Sequence, residues 1–149
     1  MLGVAAGLTW AALAPRPLLV MTGPGAAAVI NPETSAYLTA DVVFCVVCLA
    51  GGALSGLAGY LLAVRRWGPL PMAGVMIGAL AAAFIARWVG EQAGRAAFRQ
   101  HLASLPPGAH LHGPLLLGAG PALAFWPLAA GLVAGGLTAL LSTETPAAP

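Results

Sequence analysis

VVFCVVCLAGGALSGLAGYLLAV, Val42–Val64, decides the fold: an unbroken run without one charge, opening just after Asp41 and closed by Arg65-Arg66. A bilayer's hydrocarbon core is about 30 Å thick, and a helix needs about 20 apolar residues to cross it. This run therefore predicts a transmembrane helix. It shows no alternation of apolar and polar residues, and the apolar runs elsewhere are likewise too long and unalternating for strands of an outer-membrane barrel.

Composition agrees. Of 149 residues, 60% are hydrophobic and 7% charged, the charges being six arginines and four acids. Soluble domains carry roughly a quarter charged residues, and so few charges leave a water-facing surface unable to break up apolar patches. An ordinary soluble enzyme, a basic nucleic-acid binder and a disordered chain are all excluded, since disorder requires low hydrophobicity.

Working outward, Leu70–Gly90 forms a second span, with Arg87 close enough to its end to reach the interface. Between the two lies only Arg65–Pro69, whose Gly68-Pro69 pair predicts a tight antiparallel hairpin. Pro114–Leu141 is a third charge-free run, too long for one perpendicular crossing and interrupted by Pro121 and Pro127. It reads as one tilted, kinked helix. Residues 1–21 read as a short or truncated first helix, broken by Pro15-Arg16-Pro17. The rival reading, a signal peptide cleaved after Ala12-Leu13-Ala14, lacks a basic n-region.

The expectation is an all-α polytopic membrane protein: a single membrane domain, 1–149, with four transmembrane helices (about 1–21, 42–64, 70–90 and 114–141) in an antiparallel bundle. A non-cytoplasmic loop, 22–41, contains a short helix from Pro32, signalled by an Asn31 cap, proline at the first helical position and Glu33 in the first turn. An amphipathic segment, 91–113, places Phe98, Leu102 and Leu105 opposite a charged stripe. Residues 142–149 form a polar tail.

Arginine placement gives conflicting signals on orientation. With the N-terminus inside, Arg65 and Arg66 are cytoplasmic while Arg16, Arg87, Arg95 and Arg99 are not, against the positive-inside rule. However, Arg87, Glu91, Arg95 and Arg99 follow one another at intervals of four, so Glu91 pairs with its neighbours. Arg65 and Arg66 stand unpaired in a short loop and act as the topogenic charges. On this balance both termini lie in the cytoplasm and the chain in the cell membrane.

Small residues recur every fourth position: Gly51-Ser55-Gly59 with Gly52-Gly56 on the second helix, Gly74-Gly78 on the third and Gly131-Gly135 on the fourth. Such faces let helix backbones approach closely, so these are the candidate helix-packing residues. Asp41, Arg87, Glu91 and Arg95 form a candidate interfacial charge cluster, with Asp41 and Arg87 as the first pair to test. Cys45-Val-Val-Cys48 lies inside an apolar run and reads as packing, since a redox pair needs a stabilised, accessible thiolate. His101, His110 and His112 lack the further ligands zinc requires. No catalytic residue, metal or cofactor is expected.

The runs GLTWAALAPRPLLV (7–20), NPETSAYLTADVVF (31–44), LLAVRRWGP (61–69) and ARWVGE (86–91) resemble a family of small uncharacterised four-helix membrane proteins of actinobacteria. The resemblance extends from Gly7 to Glu91 and into the last span. It implies four helices with an outward segment between the first two, and no particular chemistry. Members begin with a longer basic N-terminus, so it also implies a late start site and a shortened first helix here.

The leading functional expectation is a non-catalytic accessory or structural subunit, packing through small-residue faces against other membrane subunits or itself, with the bilayer as its medium. The alternative is a small transporter or channel with a site near Asp41/Arg87 and the proline-broken fourth helix. A lipid-modifying enzyme using Asp41, Glu91, His101 and His112 is the third reading.

Overall fold

In the computed structural model, which describes residues 1–16, 18–23, 26–29, 36–102, 110–113 and 115–142, four helices are capped at one end by a small sheet. Helix α1 is Leu2–Leu13. Helix α2, Ala36–Gly59, runs on through a π-helical turn, Tyr60–Val64, and a last helical turn, Arg65–Trp67. Helix α3 is Met72–Leu102, and α4 is Phe125–Ser142, entered through a 3-10 turn at Gly120–Ala124. Strands β1 (Leu18–Gly23), β2 (Ala26–Val29) and β3 (His110–His112) pair antiparallel in the order β2-β1-β3, with Val20 opposite Ala28 and Leu19 opposite Leu111.

Among the described residues, three segments are long and apolar enough to cross a membrane: Ala36–Trp67, Met72–Ala96 and Gly120–Leu141, with mean hydropathies of 2.2, 1.8 and 1.7. The first extends about 48 Å at 1.5 Å per residue, well beyond a hydrocarbon core. The 12 residues of α1 rise only about 18 Å and are too few to cross. Between α2 and α3 the chain reverses at Gly68, whose φ of +75° suits glycine alone. Gly68 N–H donates to Val64 O at 2.9 Å.

Four boundaries differ from the sequence reading. Helix 1 ends at Leu13 and not at 21, because Ala14 is pushed into extended backbone (φ -70°, ψ 129°) by the proline that follows it. Residues 18–23 and 26–29 then form strands where helix and loop were expected. The third helix continues past Gly90 to Leu102, so the amphipathic segment opens as the end of α3, and residues 110–112 form β3. Finally, regular helix begins at Phe125 and not at Pro114. Pro121 lies at the start of the 3-10 turn, and Pro127 is the third residue of α4, where its missing N–H has no helical partner to lose. The helix start expected at Pro32 and the tail beyond Ser142 lie outside the described residues, while α2 passes unbroken through Asp41.

Helix α2 packs most extensively on α4, and α1 on α3. Helices α1 and α3 run parallel: a Cβ on Gly3 would meet Ala82 O at 2.6 Å, one on Gly7 would meet Ala86 O at 2.5 Å, and Gly90 lies against the Trp10 ring. Helix α1 thus flanks α3 only from the level of Ala82 upward, about 15 Å above Met72. The interior is built largely from alanines with a few large plugs, Trp10, Phe44, Trp126 and Leu115, all fully buried. Trp10 meets Phe44 edge-on at a centroid distance of 4.8 Å, a favoured aromatic geometry. Large aliphatic side chains instead point outward, Ile77 at 70% and Leu132 at 75% exposure among them, and no charged side chain is among the described buried residues.

Candidate functional site

At the sheet end of the bundle, three polar bonds join elements distant in sequence. Asp41, in the second turn of α2, accepts hydrogen bonds from Gly118 N–H at 3.0 Å on Oδ1 and from Ala119 N–H at 2.9 Å on Oδ2. Residues 115–119 are in neither helix nor strand, so their N–H groups need outside acceptors. A carboxylate serving two of them forms a charge-assisted clamp on the entry to α4. One residue earlier in α2, Ala40 O accepts from Trp10 Nε1 at 2.9 Å, tying α1 to the same place.

The other members of the charge cluster line α3. Arg87 Nε donates to Glu91 Oε1 at 2.9 Å, and Arg95 Nη2 reaches Glu91 Oε2 at 3.4 Å, with both arginines more than a third exposed. Such i,i+4 pairs are worth only about 0.3–0.5 kcal/mol each at a solvated surface. Asp41 is bonded to the α4 entry and Arg87 to Glu91, and the two make no ion pair with each other among the described residues. Beyond the pair, Gln92, Arg95, Phe98, Arg99 and Leu116 line an open groove of about 670 Å³.

Among the described residues, no group of three or more His, Cys, Asp or Glu side chains could hold a metal ion. The backbone of His101 lies in the last turn of α3 and those of His110 and His112 on β3; their side chains fall outside the described residues. Cys48 is fully buried and Cys45 partly so, both as free thiols.

The small-residue positions divide into two groups. A Cβ on Gly51 would meet Trp126 at 2.6 Å, Gly52 lies against Trp126 O, and a Cβ on Gly56 would meet Ala130 O at 2.5 Å. Ser55 accepts from Trp126 Nε1 at 3.1 Å and donates to Gly52 O at 3.0 Å. Gly59 faces Val75, while Gly131 and Gly135 face the thioethers of Met76 and Met72. By contrast, a Cβ on Gly74 or Gly78 would meet nothing within 4 Å. Those two lie on the stretch of α3 that α1 does not flank.

Sequence reasoning missed the clamp made by Asp41, the plugging role of Trp10 and Trp126, and the packing glycines of α1 and upper α3. A signal for the last was present, because Gly3-Gly7 and Gly90-Gly94 have the same spacing of four. No known family, no curated protein and no solved structure matches the chain.

Proposed function

We propose that the chain is a multi-pass protein of the cell membrane, with Arg65, Arg66 and the C-terminal end of α4 on the cytoplasmic side, and acts as a non-catalytic subunit that binds another membrane helix along lower α3. Lipid as the medium is supported by the inverted distribution of side chains. Alanine and glycine fill the inside while Leu38, Leu62, Ile77 and Leu132 project outward, an arrangement water would penalise.

The observation that carries the subunit role is the open pair Gly74/Gly78. The α1–α3 contact runs down α3 through Ala86 and Ala82, and the next positions at the same spacing are Gly78 and Gly74, with free space above them. A second helix laid in line with α1 would find there the close backbone approach that Gly3 and Gly7 already use. The partner is a helix of another subunit. The actinobacterial resemblance is consistent with this role and adds no activity to it.

Gly78→Ile tests the reading. In mild detergent the wild type elutes as a stoichiometric assembly, and the variant elutes as a monomer with an unfolding midpoint no lower than that of wild type. A wild-type monomer at its native membrane density overturns the proposal. The transporter reading is disfavoured: Asp41 and Arg87 have separate partners, and the prolines lie at the start of α4.

A further inference from the structure

At the end of the bundle away from the sheet, α2 leaves regular helical geometry. The π-helical turn Tyr60–Val64 comes directly before Arg65, and π turns are rare and concentrate at functional sites. Here an open groove of about 610 Å³ lies beside the contact of Tyr60 and Val64 with Ala134, lined by Tyr60, Leu61, Val64, Arg65, Thr138 and Leu141. Tyr60 is only 7% exposed, yet its hydroxyl has no hydrogen-bond partner among the described residues. A phenol that deeply placed ordinarily finds one. The Arg65 guanidinium, on the same groove, has no ion pair among the described residues either. Thr138 already donates its proton to Ala134 O at 2.7 Å.

We infer that this groove is a binding site for an anionic phospholipid. The phosphate accepts from the Tyr60 hydroxyl and from Arg65, and an acyl chain lies against Leu61, Val64 and Leu141. Two donors without acceptors ask for an oxyanion, and an arginine meets phosphate oxygens in matching geometry. The apolar wall separates a lipid from free phosphate, which has no use for Leu61 or Leu141. Trp67, 77% exposed and one turn further on, suits the headgroup level. Basic pockets between helix ends are a recurrent form of headgroup recognition. The inference rests on the bilayer placement proposed above but not on the subunit role.

The test reconstitutes the full chain in nanodiscs of mixed phosphatidylglycerol and phosphatidylcholine and reads retained lipid by native mass spectrometry. Wild type keeps phosphatidylglycerol in preference to phosphatidylcholine. Arg65→Gln lowers that retention about twenty-fold, the loss of a charge-assisted bond to phosphate added to that of the surface charge. Tyr60→Phe removes only the hydroxyl and lowers it about ten-fold through a lost bond to a charged acceptor. Arg66→Gln, outside the groove, loses only the worth of one surface charge, about five-fold at most. Equal retention of the two lipids, wild-type retention in Arg65→Gln and Tyr60→Phe, or an equal loss in Arg66→Gln overturns the site. Displacement by millimolar inorganic phosphate also overturns it, in favour of a soluble anion. A chain that fails to enter nanodiscs at all refutes the bilayer placement instead, so the two failures are told apart.

Discussion

Gly56→Ala is the sharpest test of the α2–α4 contact. The new methyl would lie 2.5 Å from Ala130 O, 2.9 Å from its Cα and 3.0 Å from its carbonyl carbon. Carbon atoms settle at about 3.5–4.0 Å, so one helix must retreat by roughly 1 Å, and the obstruction is backbone that has no rotamer to change. A gap of that size forfeits about a quarter to a half of each dispersion well along the contact, which here includes Trp126 on Gly51 and Gly52. Overpacking of this kind costs about 1–3 kcal/mol. Glycine-to-alanine exchange also brings about 1 kcal/mol of helix propensity, which would mask part of the effect. Gly136→Ala supplies the correction: it lies in α4, and a Cβ there meets nothing within 4 Å. Both variants gain the same propensity, so their difference isolates the steric cost. Unfolding in mixed micelles by added dodecyl sulfate, followed by circular dichroism, should place Gly56→Ala about 1–3 kcal/mol below Gly136→Ala. Coincident curves would refute the close approach of α2 and α4 at this level.

Three further outcomes follow from the same geometry. Trp126→Phe and Ser55→Ala, combined in a double-mutant cycle, should show a coupling of about 0.5–1.5 kcal/mol from the indole–hydroxyl bond; zero coupling removes it from the account. Asp41→Asn keeps one acceptor oxygen where two N–H groups need one each, so amide exchange at Gly118 and Ala119 should rise about ten-fold. Unchanged protection there would mean the clamp does not hold the α4 entry. Maleimide applied to the folded protein in detergent should leave Cys48 unmodified until the chain unfolds, since it is fully buried in the core cluster with Phe44 and Trp126; labelling of Cys48 without denaturant would contradict that packing.

The long apolar helices were legible because run length alone identifies them: nothing else accommodates Val42–Val64. The sheet was not legible, for two physical reasons. Ala26–Val29 is three alanines and one valine, a composition poor in strand formers, and the third strand pairs Leu19 with Leu111, a partner no local pattern announces. The role of Asp41 was hidden for a related reason. Its partners are backbone N–H groups 77 and 78 residues away, and a backbone amide leaves no trace in residue identity. Pro121 and Pro127 misled because proline is informative only relative to a helix start, and the start lies at Phe125 rather than Pro114. The π turn has no sequence signature in Tyr60–Val64, so the groove beside it leaves no mark in the sequence.

The glycine spacing was legible as a property but not as an assignment, and the distinction has consequences for how the molecule assembles. Gly3, Gly7, Gly51, Gly52 and Gly56 are each backed by the chain itself, so a side chain added at any of them acts on folding before it can act on association. Gly74 and Gly78 have the same spacing and no backing. Without a close neighbour they contribute nothing to the isolated fold and carry the usual helix cost of glycine, about 1 kcal/mol each in water. Alanine at both would remove that cost, so the isolated bundle gives no reason for glycine there, whereas a second backbone approaching closely does. The prediction is a separation of phenotypes along one helix type: bulk at Gly52 or Gly56 unfolds the monomer and thereby loses the assembly, while bulk at Gly74 or Gly78 loses the assembly without lowering the monomer's midpoint. A variant series in which both effects track each other at all four positions would mean that lower α3 meets only lipid.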